Sequence, residues 1–434
     1  MINKLLITPF QKFVRIESFS GILLFLATII ALIWANSPLA HIYQSLWQFK
    51  IGISSPLFEL NKPLILWVND GLMAVFFFLI GLEIKRELLI GELNTVRKAS
   101  FPIFAAIGGM FIPVLLFFIL NNNPATSNAW GIPMATDIAF SLAILKILGK
   151  RIPLGLKIFL TAFAIVDDLV AVIVIAIFYS ANIEWNLLIL ALLPFLLLAF
   201  LSYKRIYLKY LVLLTGILIW YLFLKSGIHP TIAGVLIAFT IPVRQKINIH
   251  TYSDKLSSIV KDIKASSNDK NPILSDQQIE QIDNLEDWTT QVQSPLQHLE
   301  HKLHNWVAYF IMPVFALSNA GVQFGGDVPI ELSLVINIAL CLFIGNSLGV
   351  SLIATIGVKL GLAEFPQGIN KLQIVGISCL AGVGFTMSIF ITNLAFVTDP
   401  SFIDSAKIGI LIGSTIAGIA GYLVLRFSAK TTTN

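Results

Sequence analysis

Three aspartates, Asp137, Asp167 and Asp168, lie inside stretches otherwise built of Ala, Ile, Val, Leu and Phe. Asp137 follows Pro133 and Thr136 in the run Trp130 to Phe140, and the Asp167–Asp168 pair stands between Ala164-Ile165-Val166 and Leu169-Val170-Ala171. If these runs are membrane helices, placing each carboxylate at mid-bilayer costs about 2.5–3.5 kcal/mol, so three of them imply a use. Neighbouring helix residues point about 100° apart, so Asp167 and Asp168 cannot face one partner. One can join Asp137 around a hard cation, for which carboxylate, hydroxyl and carbonyl oxygens are suited ligands, while the other meets a different polar group or the water path. Carboxylates packed together titrate as a coupled unit, and a proton and a cation then compete for the same oxygens. That competition is the physical basis of cation/proton exchange.

Three rival readings face it. The aspartates can be hydrogen-bonded struts between helices. An intramembrane aspartyl protease also pairs Asp residues, but in a Gly-x-Gly-Asp setting, whereas the glycine-rich stretch here reads Gly382-Val383-Gly384-Phe385. A passive cation channel explains buried carboxylates without proton coupling, and sodium-driven proton movement separates it from an exchanger.

The elements that hold these residues must be membrane spans. Of 434 residues, 56% are hydrophobic and 12% charged, and the mean hydropathy of +0.84 is far outside the range of soluble domains. A hydrocarbon core about 30 Å thick needs roughly 20 apolar residues per helix. Such runs predict an all-α polytopic membrane protein, a single transmembrane domain over 1–434 solvated by the lipid bilayer. They fall near 18–36, 64–84, 99–120, 130–148, 154–179, 186–203, 208–225, 230–243, 303–322, 333–356, 372–397 and 405–426, twelve in all. The net charge of +5 does not point to nucleic acid, because Lys and Arg sit in alternate loops and not on one basic face. Lys85, Arg86, Arg97 and Lys98, then Lys146, Lys150 and Arg151, then Lys204, Arg205 and Lys209, then Arg244 and Lys246 mark the cytoplasmic side, with both termini there. Lys4, Lys12 and Arg15 before Ile22 to Ala35 have the order of a signal peptide, but the apolar run is long and no small-x-small site follows closely, so it reads as a retained first span. Cys341 and Cys379 read as small buried hydrophobes, not as a disulfide or metal pair.

Residues 244–299 break the pattern as a polar cytoplasmic loop insertion containing Ser257, Asp262, Asn268, Asp276, Gln277 and Glu280. Ile279, Ile282 and Leu285 recur at helical spacing within it and suit an amphipathic helix on the membrane or on the protein's mouth; the plainer reading is a solvated insertion. Pro133, four residues before Asp137, predicts an interruption of the fourth span, and Gly376, Gly382 and Gly384 make the eleventh a second candidate. Membrane glycines are also ordinary packing contacts. Paired interrupted helices, one in each half, nevertheless point to a midplane ion site.

At these residues the chain resembles the NhaA family of sodium/proton antiporters. The matching stretches are Asp70 to Phe77, Gly81 to Leu88, Ala135 to Phe140, Ala164 to Leu169, Leu224 to His229 and Gly382 to Phe390, spread over nearly the whole chain except the insertion. The resemblance implies inverted-topology repeats with two crossed discontinuous helices, spans four and eleven. It implies a secondary active antiporter, not an enzyme, in the cell inner membrane, with no cofactor. Its partners are the transported sodium or lithium and protons, exchanged by alternating access, and a homodimer is left open. Asp168 would be the principal sodium and proton ligand with Asp167 beside it, both holding the metal transiently, while Thr136 and Asp137 contribute at the span-four break. A pH-sensing region maps onto Glu83, Glu87, Glu300, His301 and His304, for whose histidines an ordinary helix-end reading also stands; His229 matches a family histidine. One position departs from the family, which carries a lysine in Gly-Lys-Pro-Leu-Gly where this chain reads Gly345-Asn346-Ser347-Leu348-Gly349. Asn346 can hydrogen-bond a carboxylate but holds no transportable proton, so an altered pH dependence and proton-to-sodium ratio are expected. Lys157 is the nearest substitute cation by sequence.

Overall fold

In lipid every backbone N–H and C=O must be satisfied within the protein, so apolar stretches of this length form helices. A computed structural model describes residues 9–55, 58–180, 183–204, 206–245, 247–266, 273, 275–324, 330–366 and 368–428; Lys4, Arg205, Lys246 and Asn268 fall outside the described residues. The first helices are α1 (Pro9–Ala35) and α2 (Ala40–Gln48), followed by a hairpin, β1 (Lys50–Ser55) and β2 (Phe58–Pro63). Then come α3 (Leu64–Leu89) and α4 (Val96–Leu120), a 3-10 segment α5 (Pro124–Met134) with α6 (Ile138–Leu148), and α7 (Leu154–Phe178). The chain continues through α8 (Trp185–Tyr203), α9 (Lys209–Ser226), α10 (Thr231–Thr240), α11 (Ile249–Ser266), α12 (Asp276–Val292), α13 (Pro295–Trp306) and α14 (Met312–Asn319). It closes with α15 (Leu332–Lys359), α16 (Lys371–Ala381) and α17 (Phe385–Ala395), and α18 (Ile403–Ser428).

Among the described residues seven helices are long and apolar enough to cross a membrane, or up to ten if each bent pair is one span. The other two predicted segments hold the short α10 and the charged α13 leading into α14. The exterior is apolar: α8 has a mean hydropathy of 2.3 with only 11% of it buried, so its surface requires lipid.

Two local features add to this architecture. The all-α membrane architecture carries one short hairpin beside its helices: Ile51 and Ile53 alternate with Gly52 and Ser54, a period of two that suits a strand and is too short for a span. β1 pairs with β2 antiparallel from Lys50↔Pro63 to Ser55↔Phe58, and Trp67 Nε1 of α3 donates to Ile51 O at 2.8 Å, fixing the ribbon to the helices. The polar insertion at 244–299 contains two helices, and Ile279, Ile282 and Leu285 lie on the second, α12. Ser275 and Gln278 form a capping box that starts α12, Tyr252 meets Thr289 at 2.9 Å, and Lys255 lies over the Trp288 ring, so α11 and α12 fold back on each other. Ile279 and Ile282 are exposed on that helix.

The first helix packs closely against later ones: Ser20 Oγ donates to Ala308 O at 2.8 Å, and a Cβ at Gly21 would meet Ala143 and the Ala139 backbone. Cys341 and Cys379 are free and buried. The tightest helix contact joins α4 and α15, where a Cβ built on Gly108 would stand 2.1 Å from Gly349 O and one on Gly349 would stand 2.1 Å from Gly108 O. Backbone on both sides leaves no flexible group to yield. Gly108→Val is therefore expected to lower stability by at least about 1–3 kcal/mol, the usual cost of overpacking, read as a lower thermal midpoint in detergent; an unchanged midpoint would show that the helices are not in contact there.

Candidate ion-binding site

Pro133 does interrupt its span. The chain leaves α5 after Met134, passes through extended backbone at Ala135 and Asp137, and re-enters a helix at Ile138, bent by 45°. Gly382-Val383-Gly384 separates α16 from α17 with a bend of 40°. The two interruptions lie against each other, and their side chains and backbone satisfy one another. Asp137 N donates to Val383 O at 2.6 Å, Thr136 Oγ1 to Ala381 O at 2.9 Å, and Ser141 Oγ to Leu380 O at 2.9 Å. In return Ser388 Oγ donates to Ile132 O at 2.8 Å. Gly384 and Phe385 N–H groups are accepted by Ser414 Oγ of α18 at 3.2 and 3.3 Å. Approach this close needs Gly384, whose added Cβ would sit 2.6 Å from Ala135 O.

Asp137 caps two helices at once. Its Oδ1 accepts from Ala139 N at 3.1 Å and Phe140 N at 3.2 Å at the start of α6. Its Oδ2 accepts from Thr386 N at 3.1 Å at the start of α17 and from the Thr386 hydroxyl. Both helix N-termini carry partial positive charge, and one buried carboxylate answers both. Thr386 is a site residue not singled out from sequence; its signal was a hydroxyl two residues after the glycine break, placed to aim at an anion.

Asp167 and Asp168 part company as their helical spacing requires. Asp167, 2% exposed, accepts from Thr136 N at 3.1 Å through Oδ2, while its Oδ1 has no hydrogen-bond partner among the described residues. Asp168 instead lines a cavity of about 40 Å³ together with Thr136, Asp137, Thr386, Ser20 and Glu83. A volume of that order has room for a water-sized occupant, and its polar wall is carboxylate and hydroxyl oxygen, the donor set of a hard cation. The structure thus brings Asp168, Asp137 and Thr136 together and leaves Asp167 outside the lining.

Asn346 does not hydrogen-bond a carboxylate. Its Nδ2 donates to Pro133 O at 2.9 Å and to Leu342 O at 3.1 Å, so a neutral amide answers a carbonyl at the end of α5. Lys157 cannot replace a missing cation at Asp167, being ten residues and about 15 Å away along the same helix.

Glu83 connects the cavity to a charged cluster at the end of α3. His304 Nδ1 is 3.8 Å from Glu83 Oε1, Arg86 Nε is 3.0 Å from Glu300 Oε1, and Arg86 Nη1 is 2.6 Å from Glu87 Oε1. Burial pushes the Glu300 carboxyl up to about 7, aided by Glu83 and opposed by Arg86. His301 is exposed on the outer side of the same helix. His229 is separate from this cluster: its Nδ1 meets Thr231 Oγ1 at 2.7 Å and its Nε2 is 3.8 Å from Asp70 Oδ1.

The model of the family described as Na+/H+ antiporter 1 matches residues 11–425. The Na(+)/H(+) antiporter NhaA of Oleidesulfovibrio alaskensis is 46% identical over 428 residues, 98% of this chain and 95% of that protein. NhaA 1 of Saccharophagus degradans is 45% identical over 431 residues, 98% and 92% of the two chains. NhaA of Helicobacter pylori is 45% identical over 419 residues, covering 96% and 94%.

Asp137→Ala would leave two buried helix N-termini without their shared acceptor. A loss of about 1–4 kcal/mol is expected from two caps, against about 0.5–1.5 kcal/mol for Thr386→Val, which removes one hydroxyl donor. Thermal unfolding in sodium-free detergent measures both, and equal losses would contradict the double cap.

Proposed function

Since the chain belongs to the Na+/H+ antiporter 1 family, we propose that it exports sodium, or lithium, across the inner membrane in exchange for protons, by exposing one site alternately to each side. It is then a transporter and not an enzyme. The observation that carries the reading is the cavity in which Asp168, Asp137 and Thr136 meet beside two interrupted helices. Asp168 is the group that sodium and protons share, because it faces the cavity and Asp137 is already committed to two helix ends. Asp167 holds the Thr136 backbone and so sets the shape of the break.

All twelve predicted segments cross the bilayer, with spans four and eleven crossing each other at their breaks as members of two inverted repeats. The Lys and Arg clusters after α3, α6, α8 and α10 put Glu83 and its cluster on the cytoplasmic side. Sodium then enters the cavity past Glu83, and a proton that replaces it on Asp168 returns the same way. If more protons than sodium ions move per cycle, each net charge gains about 2.3 kcal/mol per 100 mV of membrane potential.

The charged cluster supplies pH regulation. Because the folded-state value of Glu300 is raised to about 7, its contribution to stability is full below its ordinary carboxylate range and is lost as pH rises through about 7. Deprotonation there completes the charge on the Arg86–Glu300 pair and alters the entrance at α13.

Three variants test this reading by sodium-driven proton movement in everted vesicles. Asp168→Asn is expected to abolish exchange at every pH, and exchange that survives it removes the assigned role. Glu300→Gln is expected to take out the change in rate near pH 7, and a profile identical to the parent's would remove Glu300 from regulation. Asn346→Lys is expected to move the whole activity–pH curve by placing a cation at the end of α5, whereas an unmoved curve would make that position electrically silent.

A further inference from the structure

Three helices present the same order of residues as they leave the cavity, and the order ends in a seal. Moving away from Glu83, α3 gives Ile80 to the cavity wall, then Phe77, then Asn69; the ninth span gives Met312, then Phe315, then Asn319; α17 gives Met387, then Phe390, then Asn393. The phenylalanines form one layer: Phe390 is 5.6 Å from Phe77 and 6.2 Å from Phe315 between ring centroids, and none of the three is more than 1% exposed. Behind them the asparagines form a second layer. Asn69 and Asn319 exchange reciprocal amide bonds at 3.2 and 2.9 Å, and Asn393 Nδ2 donates to Asn319 Oδ1 at 2.8 Å.

We propose that these two layers are the outer gate of the ion path, closed in this structure. On α3 the cavity is lined by Phe76, Leu79, Ile80 and Glu83, and its lining reaches none of the three asparagines. An ion on Asp168 can therefore leave toward Asn69 only if α3, α14 and α17 separate. An apolar layer blocks a hydrated ion. The amide layer does what further phenylalanine could not: its donors and acceptors pair with each other when closed and with water when open, so parting leaves no buried polar group unsatisfied. Interhelical side-chain bonds of this kind are individually weak in membranes, which suits a contact that must break every cycle. The gate is also tied to the site. Phe390 and Asn393 lie on the short helix whose first turn holds Asp137 through Thr386, so a shift of α17 on ion binding moves the seal with it.

The inference rests on the transport reading above, and the test separates them. In a Cys341→Ala, Cys379→Ala background, Asn69→Cys with Asn319→Cys is joined by a short bifunctional thiosulfonate in proteoliposomes. Joining is expected to cut passage of radioactive sodium more than tenfold, with recovery on reduction. Stabilisation of the joined protein by sodium in detergent should remain. Sodium passage that continues at the unjoined rate would overturn the gate, and so would loss of sodium-dependent stabilisation, which would put Asn69 and Asn319 in the binding site. Absence of proton movement in the unjoined protein would strike the antiport reading alone, since sodium passage reads the gate without it. As a second measurement on a gentler variant, Asn393→Ala should weaken the closed gate and raise the half-saturating sodium concentration from the Glu83 side at least threefold; an unchanged value would contradict the gate.

Discussion

The structure depends on one constraint: a helix broken in the interior of a membrane protein exposes backbone groups that have no water to turn to. Here two such breaks answer each other. Val383 O takes the Asp137 N–H, Ala381 O takes the Thr136 hydroxyl, and the Asp137 carboxylate receives the first N–H groups of both following half-helices. Neither break is self-sufficient, so both must form together. A carboxylate that would otherwise be costly becomes the acceptor that lets two helices begin in the interior.

That arrangement also sets the three aspartates apart. Asp137 is engaged from both sides and Asp167 turns to the Thr136 backbone, while Asp168 joins Asp137 in lining the cavity. The cavity takes in Glu83, beside which lies the Arg86–Glu300 pair, and away from Glu83 lie phenylalanine and asparagine layers. One site with a charged approach and a closed far side is what exchange by alternating exposure requires.

Much of this could be read from residues. Pro133 beside Asp137 marked the first interruption because proline withdraws a donor and clashes with the turn before it. The Asp167–Asp168 divergence followed from helical geometry alone. Other features were hidden for physical reasons. Lys50–Pro63 carries too few apolar residues to stand out beside long membrane runs, so the hairpin was missed. Within the insertion, apolar periodicity at Ile279, Ile282 and Leu285 announced α12 but not its pairing with α11, which rests on polar contacts such as Tyr252 with Thr289. The asparagine layer is built from residues 250 and 74 positions apart in the chain, and no local pattern announces such a meeting. Asn346 could have served a carboxylate and instead serves the Pro133 carbonyl, because the break supplies an acceptor that an unbroken helix would not.

Competition between sodium and protons at Asp168 is tested most directly by sodium binding to the purified protein at a series of pH values, with proton release recorded in the same titration. If both occupy the same oxygens, sodium binding should release protons, and in the acid range its affinity should weaken up to about tenfold for each unit fall in pH. Affinity independent of pH, with no proton released, would contradict a shared site.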